Sequence, residues 1–134
     1  MKFLLDTNIC IYLIKKKPPQ VLEKFKDYSV GEIGVSSITV AELQYGVEKS
    51  QRPASNRKAL SQFLIPLVIA DFDDQAADAY GKARAALEAQ GTPIGALDTL
   101  IAAHALSLGV TLVTNNTREF SRVADLRLTN WAEG

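Results

Sequence analysis

Short apolar segments alternate with longer amphipathic segments along almost the whole chain, and this alternation limits the fold more than any other feature of the sequence. The short segments are rich in leucine and β-branched residues and are bounded by polar or turn residues, as buried strands are. Five buried strands are therefore predicted, at residues 2–5, 33–35, 67–70, 111–113 and 126–128.

The longer segments carry apolar residues at helical spacing. They predict helices at residues 7–15, 19–28, 39–50, 54–64, 74–90 and 96–108, and a short helical turn near 117–123. This order favours an α/β fold with a central, mostly parallel five-stranded sheet and helices on both faces. No linker interrupts the order and the length suits one domain, so residues 1–134 are predicted to form a single domain.

Polar side chains follow the predicted strands or begin the predicted helices. In a parallel sheet the helices run antiparallel to the strands, so the helix starts gather at the carboxyl edge, where such folds bind ligands. The groups expected there are Asp6 with Thr7 and Asn8, Glu42, Asp73 with Asp74, Asp98, and Asn115 with Asn116. The sequence therefore places a set of acids at one edge of the sheet.

Each of these acids also fits a structural role. Acidic residues are favoured at helix starts, where they accept hydrogen bonds from free backbone N–H groups, and Thr39 with Glu42 has the spacing of a capping box. As a set the acids indicate more, because carboxylates in one cleft repel each other unless a cation or a proton joins them. Hard divalent cations prefer such oxygen ligands, so we expect Mg²⁺ or Mn²⁺ and chemistry on phosphate groups.

The chain has one cysteine and one histidine. Cys10 alone allows no internal disulfide and no closed zinc site, which needs about four Cys or His ligands. His104 alone excludes catalysis by an acid and base pair of histidines. It lies six positions after Asp98, on a different face of the helix, so we expect a hydrogen-bonded structural histidine. Carboxylates are left as the groups that carry the chemistry.

The formal net charge of zero hides an uneven distribution of charge along the chain. Residues 15–58 hold nine bases and five acids and carry +4, while the remainder carries −4. A basic surface of this kind can follow the phosphates of RNA, although lysine runs are also common on solvated helices. The candidate RNA-binding residues are Lys15, Lys16, Lys17, Lys49 and Arg52.

The amino-terminal residues 1–5 form a short apolar run that leads directly into Asp6, without the charged region, longer apolar stretch and cleavage site of an export signal. No apolar segment approaches the roughly 18 residues of a membrane-spanning helix. The sequence therefore predicts a cytoplasmic protein without a membrane segment.

Four segments carry a more specific pattern. They are Leu4-Leu5-Asp6-Thr7-Asn8, the segment SSITVAEL at 36–43 with Gly46, Pro93-Ile94-Gly95 with residues 98–105, and Leu112-Val113-Thr114-Asn115-Asn116 with Phe120. In this order, and with this strand and helix context, the chain resembles PIN-domain proteins of the VapC toxin family over nearly its whole length. The resemblance implies a PIN-like domain with the three-layer architecture described above.

PIN domains use a quartet of acidic residues to hold Mg²⁺ or Mn²⁺, and the resemblance carries three of them over to Asp6, Glu42 and Asp98. The fourth position holds Asn116, whose amide oxygen brings no charge. Glu119, in the next turn, is a candidate for the missing carboxylate. The expected catalytic set is therefore Asp6, Glu42, Asp98 and Asn116, with Asp6 and Asp98 as direct metal ligands.

Four neighbouring residues are expected to support this set: Thr7, Thr114, Asn115 and Glu119. Glu42 either completes the metal shell or holds the attacking water as a base. Thr114 and Asn116 are expected to position that water.

The resemblance also implies a function. Members of the VapC family are endoribonuclease toxins that a cognate VapB-type antitoxin neutralises. We expect this chain to cut structured RNA, above all tRNA in the anticodon region of the initiator, and so to inhibit translation. A homodimer and a toxin–antitoxin hetero-oligomer are the expected assemblies.

Two alternatives stay open. One is a catalytically inert PIN-like module that binds RNA or protein, which the uncharged Asn116 allows. The other is a receiver-type signalling domain, although the expected lysine after the last strand is missing.

Overall fold

The computed structural model describes residues 1–133, in which five strands form one sheet. They are β1 (Phe3–Leu5), β2 (Ile33–Ser36), β3 (Val68–Ala70), β4 (Thr111–Val113) and β5 (Leu128–Thr129). The strand order is β3-β2-β1-β4-β5, and every neighbouring pair is parallel. The predicted α/β class is confirmed, and the sheet is wholly rather than mostly parallel.

The described part of the chain forms seven helices between and around these strands. They are α1 (Thr7–Lys15), α2 (Pro19–Lys26), α3 (Ser37–Glu48), α4 (Pro53–Leu64), α5 (Asp74–Ala89), α6 (Ala96–Leu108) and α7 (Thr117–Phe120). None of the helices within residues 1–133 is long and apolar enough to cross a membrane.

The chain builds the sheet outward from its centre in two directions. From β1 it goes to β2 and β3 on one side, then crosses back and adds β4 and β5 on the other. The direction therefore reverses between β1 and β4, and open parallel sheets bind ligands in the crevice outside the carboxyl ends of strands at such a point. Asp6 directly follows β1, and Thr114 directly follows β4.

Two apolar clusters cover the two faces of the sheet. Successive residues of a strand point to opposite faces, so Leu5 packs into the cluster that α1 to α4 cover, and Leu4 packs into the cluster that α5 and α6 cover. Cys10 is fully buried in the first cluster, as an apolar core residue. The expected three layers of helix, sheet and helix are confirmed.

The outer strands differ from the prediction of five buried strands. In β3, Val68 and Ile69 expose 39% and 46% of their surface, and β5 is only half-buried. Both lie at an edge of the sheet, where one side has no neighbouring strand. Leucine and β-branched content alone does not distinguish an edge strand from a central one, and this prediction was wrong for both outer strands.

The predicted capping box at the start of α3 is also wrong. The helix begins at Ser37, and its cap is Ser36, whose hydroxyl accepts a hydrogen bond from the backbone N–H of Ile38 at 3.1 Å. Thr39 lies within the helix and is buried. Glu42 is therefore not engaged at the helix start and its carboxylate is available for another contact.

Candidate active site

Four acidic side chains meet at the carboxyl edge of β1 and β4. Asp6 follows β1, Glu42 lies in the second turn of α3, Asp98 lies in the first turn of α6, and Glu119 lies in α7. Their charges act on one another, because Glu119, Asp6 and Glu42 all raise the pKa of Asp98. Acids more than ninety residues apart in the sequence are thus brought to one cleft.

Asp6 has a structural and an electrostatic role at once. Its carboxylate caps α1 by accepting a hydrogen bond from the backbone N–H of Ile9 at 2.9 Å. Only 4% of Asp6 is exposed. Burial raises the pKa of Asp6, and the charge of Glu42 raises it further by a smaller amount. A hydrogen bond from the Thr114 side chain lowers the same pKa. The structural explanation of Asp6 is therefore correct and does not compete with a catalytic one.

Glu42 is held by the first residue of another helix. The hydroxyl of Thr7 donates a hydrogen bond to Glu42 Oε1 at 2.8 Å. This contact joins the start of α1 to the middle of α3. It fixes one oxygen of the Glu42 carboxylate and leaves the other available to a ligand or a water molecule.

Asp98 is the most perturbed acid of the cleft. Its burial and the charges of Glu119, Asp6 and Glu42 raise its pKa to about 6. In its protonated form Asp98 shares a hydrogen bond with Glu119. A divalent cation in the cleft would replace this proton and remove the repulsion among the carboxylates.

Glu119 lies beside Asn116 and next to Asp98. The Asn116 side-chain amide donates to Glu119 Oε2 at 2.8 Å, and the backbone N–H of Gly95 donates to Oε1 at 3.2 Å. These hydrogen bonds lower the pKa of Glu119. The amide nitrogen of Asn116 thus orients the ionised carboxylate of Glu119.

Thr114 and Asn115 have partners other than the expected water. Thr114 is fully buried, and its hydroxyl accepts from the backbone N–H of Asn116 at 2.9 Å while its side chain donates to Asp6. The Asn115 amide donates to the Tyr12 hydroxyl at 2.6 Å. Both residues therefore fix the loop after β4, and the expectation that Thr114 and Asn116 position the attacking water is not supported by these contacts.

Asp73 and Asp74 lie apart from this cleft. They follow the edge strand β3, and Asp73 caps α5 by accepting from the backbone N–H of Ala76 at 3.0 Å. Their presence at a helix start has the structural explanation given above.

The candidate RNA-binding residues are all exposed. Lys15 and Lys49 line two open surface grooves that both include Thr7 and Glu42. The ammonium group of Lys49 lies 4.8 Å from the centre of the Tyr45 ring. Lys16, Lys17 and Arg52 are at the end of α1 and before α4, and within residues 1–133 they line neither groove.

The donor set fits a hydrated divalent cation. Within residues 1–133 no three Asp, Glu, His or Cys side chains stand close enough together to hold one ion directly. Mg²⁺ commonly binds through only one or two carboxylates and retains several waters. Asp6 and Asp98 are the residues that would supply these two oxygen ligands, and Glu42 and Glu119 would face the waters of a bound ion.

Comparison with known proteins identifies the family of the chain. The family model of the PIN domain matches residues 3–126. The chain therefore belongs to the PIN-domain family, and the strand order excludes the receiver-type alternative, whose sheet has the order 2-1-3-4-5.

Within that family the chain belongs to the VapC proteins. It is 48% identical to the tRNA(fMet)-specific endonuclease VapC of Shigella flexneri over 98% of this chain and 99% of that protein. It is 49% identical to Ribonuclease VapC2 of Haemophilus influenzae over 98% of both chains. The DNA-bound VapBC structure from Salmonella typhimurium matches it with a TM-score of 0.93 and 45% identity, over 98% of each chain.

Sequence reasoning missed the contacts that hold the acids in place. The bond from Thr7 to Glu42 spans 35 positions, and the bond from Thr114 to Asp6 joins the residues that directly follow two different strands. The one signal for these contacts in the sequence was the predicted parallel sheet, because its carboxyl edge places the ends of β1 and β4 side by side.

Proposed function

We propose that this chain is a divalent-metal-dependent endoribonuclease toxin that hydrolyses phosphodiester bonds in structured RNA. The observation that carries the proposal is the cleft of Asp6, Glu42, Asp98 and Glu119. Burial and the repulsion among the carboxylates raise the pKa of Asp6 and Asp98, and a bound cation would stabilise their ionised forms. Relatives with 45% to 49% identity over almost the whole chain are named as ribonucleases or endonucleases.

Asp6 and Asp98 are the residues that would hold Mg²⁺ or Mn²⁺. When bound, the cation supplies a Lewis acid that stabilises charge on the phosphoryl oxygens and lowers the pKa of a water molecule. Glu42 accepts a proton from the attacking water with its free carboxylate oxygen, while Thr7 fixes the other oxygen. In-line attack on the phosphodiester then releases a 3′-hydroxyl.

The remaining residues keep these groups in place. Thr114 holds Asp6, and Asn116 with the Gly95 backbone holds Glu119 in its ionised form. Glu119 thereby supplies the fourth negative charge of the cleft, next to Asp98. This assignment favours an active enzyme over the inert binding module, because the loss of charge at Asn116 is offset three residues later.

We propose initiator tRNA as the substrate, cut in its anticodon region, so that translation is inhibited in the cytoplasm. Two relatives are named as tRNA(fMet)-specific endonucleases. Three of the similar solved structures are VapBC complexes, two of them bound to DNA. We therefore also propose a VapB-type antitoxin as partner, and a homodimer of this chain within the toxin–antitoxin hetero-oligomer.

The test is cleavage of purified initiator tRNA in Mg²⁺, in EDTA, and in EDTA after Mg²⁺ is restored in excess. Asp6→Asn and Asp98→Asn should each lower kcat/KM by at least about a hundredfold, since each removes a charged ligand. Asp78→Asn, which changes an exposed acid paired with Lys82 on α5, is the matched control. Full cleavage in EDTA or by either cleft variant would show that the proposed mechanism is wrong.

The same tRNA preparation tests the substrate. Mapping the new ends should place the cut in the anticodon region of initiator tRNA, and elongator methionine tRNA should be cut much more slowly. Equal cleavage of both tRNAs would contradict the proposed specificity and leave the metal-dependent chemistry intact.

A further inference from the structure

His104 is a buried polar residue that the proposed chemistry does not use. It lies on α6 with 1% of its surface exposed. Its Nδ1 is 2.7 Å from the Ser36 hydroxyl, and the ring of Phe72 meets its edge at a centroid distance of 5.3 Å. The ring therefore sits where α6, the start of α3 and the loop between β3 and α5 meet.

The hydrogen bonds around His104 define its protonation. The Ser36 oxygen already accepts from the backbone N–H of Ile38, so its own proton is free to be donated to His104 Nδ1. The backbone of Asp71 acts on the ring as a hydrogen-bond acceptor does, because it raises the pKa of His104. Because Nδ1 faces the Ser36 hydroxyl and accepts its proton, the proton of the neutral ring is carried by Nε2.

Electrostatics agree with a neutral ring. Burial lowers the pKa of His104, while the charges of Asp73 and Asp71 and the carbonyl of Asp71 oppose this. These two carboxylates are the charged groups that act on it from the loop between β3 and α5. Neutral His104 is therefore the state at and above pH 7.

The position of this contact on the two helices relates it to the acidic cleft. Ser36, the residue that caps α3, is six residues before Glu42, and His104 is six residues after Asp98 on α6. Six residues correspond to about 9 Å of helix. The two helices pack against each other, so the same pair of elements carries an attractive contact between Ser36 and His104 and two carboxylates, Glu42 and Asp98, that repel each other.

We infer that His104 is a positioning residue, which through Ser36 fixes the start of α3 against α6 and so sets the distance between the Glu42 and Asp98 carboxylates. This inference rests on the proposed function for its consequence in catalysis, and on the structure alone for its consequence in geometry. A buried hydrogen bond of this kind holds two helices in one arrangement where apolar contacts alone allow several.

The protonation of His104 is tested by nitrogen NMR of the metal-free protein. The chain has one histidine, so the ring signals need no further assignment. We expect the neutral Nε2–H form at pH 7 in the wild type, and a shift of the Nδ1 resonance in Ser36→Ala, where the donor is lost. A proton on Nδ1, or a spectrum that Ser36→Ala leaves unchanged, would overturn the proposed contact.

The positioning role is tested with His104→Leu and His104→Gln. Leucine has no acceptor for Ser36, whereas the glutamine side-chain oxygen can accept the hydroxyl proton. Crystal structures of the metal-free variants should show a wider Glu42 to Asp98 separation in His104→Leu and a separation closer to that of the wild type in His104→Gln. An unchanged separation in His104→Leu overturns the inference, whether or not the protein cleaves RNA.

Kinetics then separate positioning from general loss of stability. We expect kcat of His104→Leu to fall about 10- to 100-fold with little change in KM, because misplacement by about 1 Å can cost this much. His104→Gln should recover part of kcat. Leu60→Val, a core change on α4 away from this contact, controls for destabilisation. Equal kcat in His104→Leu and the control contradicts the inference, whereas failure of the wild type to cleave RNA contradicts the proposed function instead.

Discussion

The acidic cleft and the basic surface of residues 15–58 use charge in opposite ways. In the cleft each carboxylate has a fixed hydrogen-bond partner, and burial and repulsion raise the pKa values of Asp6 and Asp98. On the basic surface the five candidate side chains are exposed and reach into solvent. Each charge in the cleft interacts strongly with its near neighbours because water screens it little. Each exposed charge is screened by solvent and salt and contributes little alone, so the basic surface can affect RNA binding only through the sum of its charges.

After Asp6 and Asp98, the largest effect is expected at Glu119. Glu119→Gln keeps the size of the side chain and removes the fourth charge, so kcat/KM for RNA should fall about a hundredfold. Asn116→Ala removes the side-chain amide that donates to this carboxylate at 2.8 Å and should cost about tenfold or less. Steady-state kinetics of the two variants, measured side by side, compare their losses of kcat/KM. A greater loss in Asn116→Ala would mean that Asn116, and not Glu119, is the fourth residue of the catalytic set.

The next effect is expected at Thr7. Thr7→Val removes the hydroxyl that holds Glu42 at 2.8 Å and preserves the shape of the side chain. We expect about a tenfold loss of kcat with KM nearly unchanged, since the carboxylate remains but is less well oriented. Thr111→Val, at the other end of β4, serves as the control. A normal kcat in Thr7→Val would mean that the orientation of Glu42 does not limit the reaction.

The repulsion in the cleft predicts a pH-dependent stability. The pKa of Asp98 is raised to about 6, so the folded metal-free protein keeps a proton that the unfolded chain loses near pH 4. Ionised Asp98 therefore opposes folding as the pH rises through 6 and has no such effect below pH 4.

Asp98→Asn should accordingly raise the free energy of unfolding by about 1 to 2 kcal/mol near pH 7.5, a value reduced for the solvent screening of a half-buried group. Near pH 3.5 the gain should disappear. Urea unfolding in EDTA at the two pH values measures it, with Asp78→Asn as the exposed control. An equal gain at both pH values would remove the electrostatic explanation.

The smallest effects are expected on the basic surface. Lys15→Gln and Lys49→Gln remove two charges beside the grooves that include Glu42. Each should weaken RNA binding only about threefold at low salt, and together they should make the salt dependence of the affinity less steep. Lys82→Gln on α5 is the matched control. An unchanged salt dependence in the double variant would assign these lysines to the solvated surface.

Much of the fold could be predicted from the sequence because local pattern and tertiary structure agree. The periodicity marked all five strands and seven helices, and the rule for parallel sheets placed Asp6 and Asp98 at one edge. The pattern did not show that Val68 and Ile69 are exposed, because exposure depends on which strands end up at the edges of the sheet.

The candidate site was predictable in its residues and less so in its contacts. Asp6, Glu42 and Asp98 follow strands or lie near helix starts, so sequence position indicated them. Whether Asn116 or Glu119 faces the cleft depends on how α7 turns after β4, which the sequence does not determine. Residues far apart in the chain, such as Ser36 and His104, meet only after the helices have packed.

The central claim is that Asp6 and Asp98 form one divalent-cation site, and calorimetric titration of the RNA-free protein with Mn²⁺ tests it most directly. The wild type and Asp78→Asn should bind Mn²⁺ with the same affinity, and Asp6→Asn and Asp98→Asn should each lose at least about tenfold in affinity. Undiminished Mn²⁺ binding by Asp6→Asn and Asp98→Asn would contradict the claim.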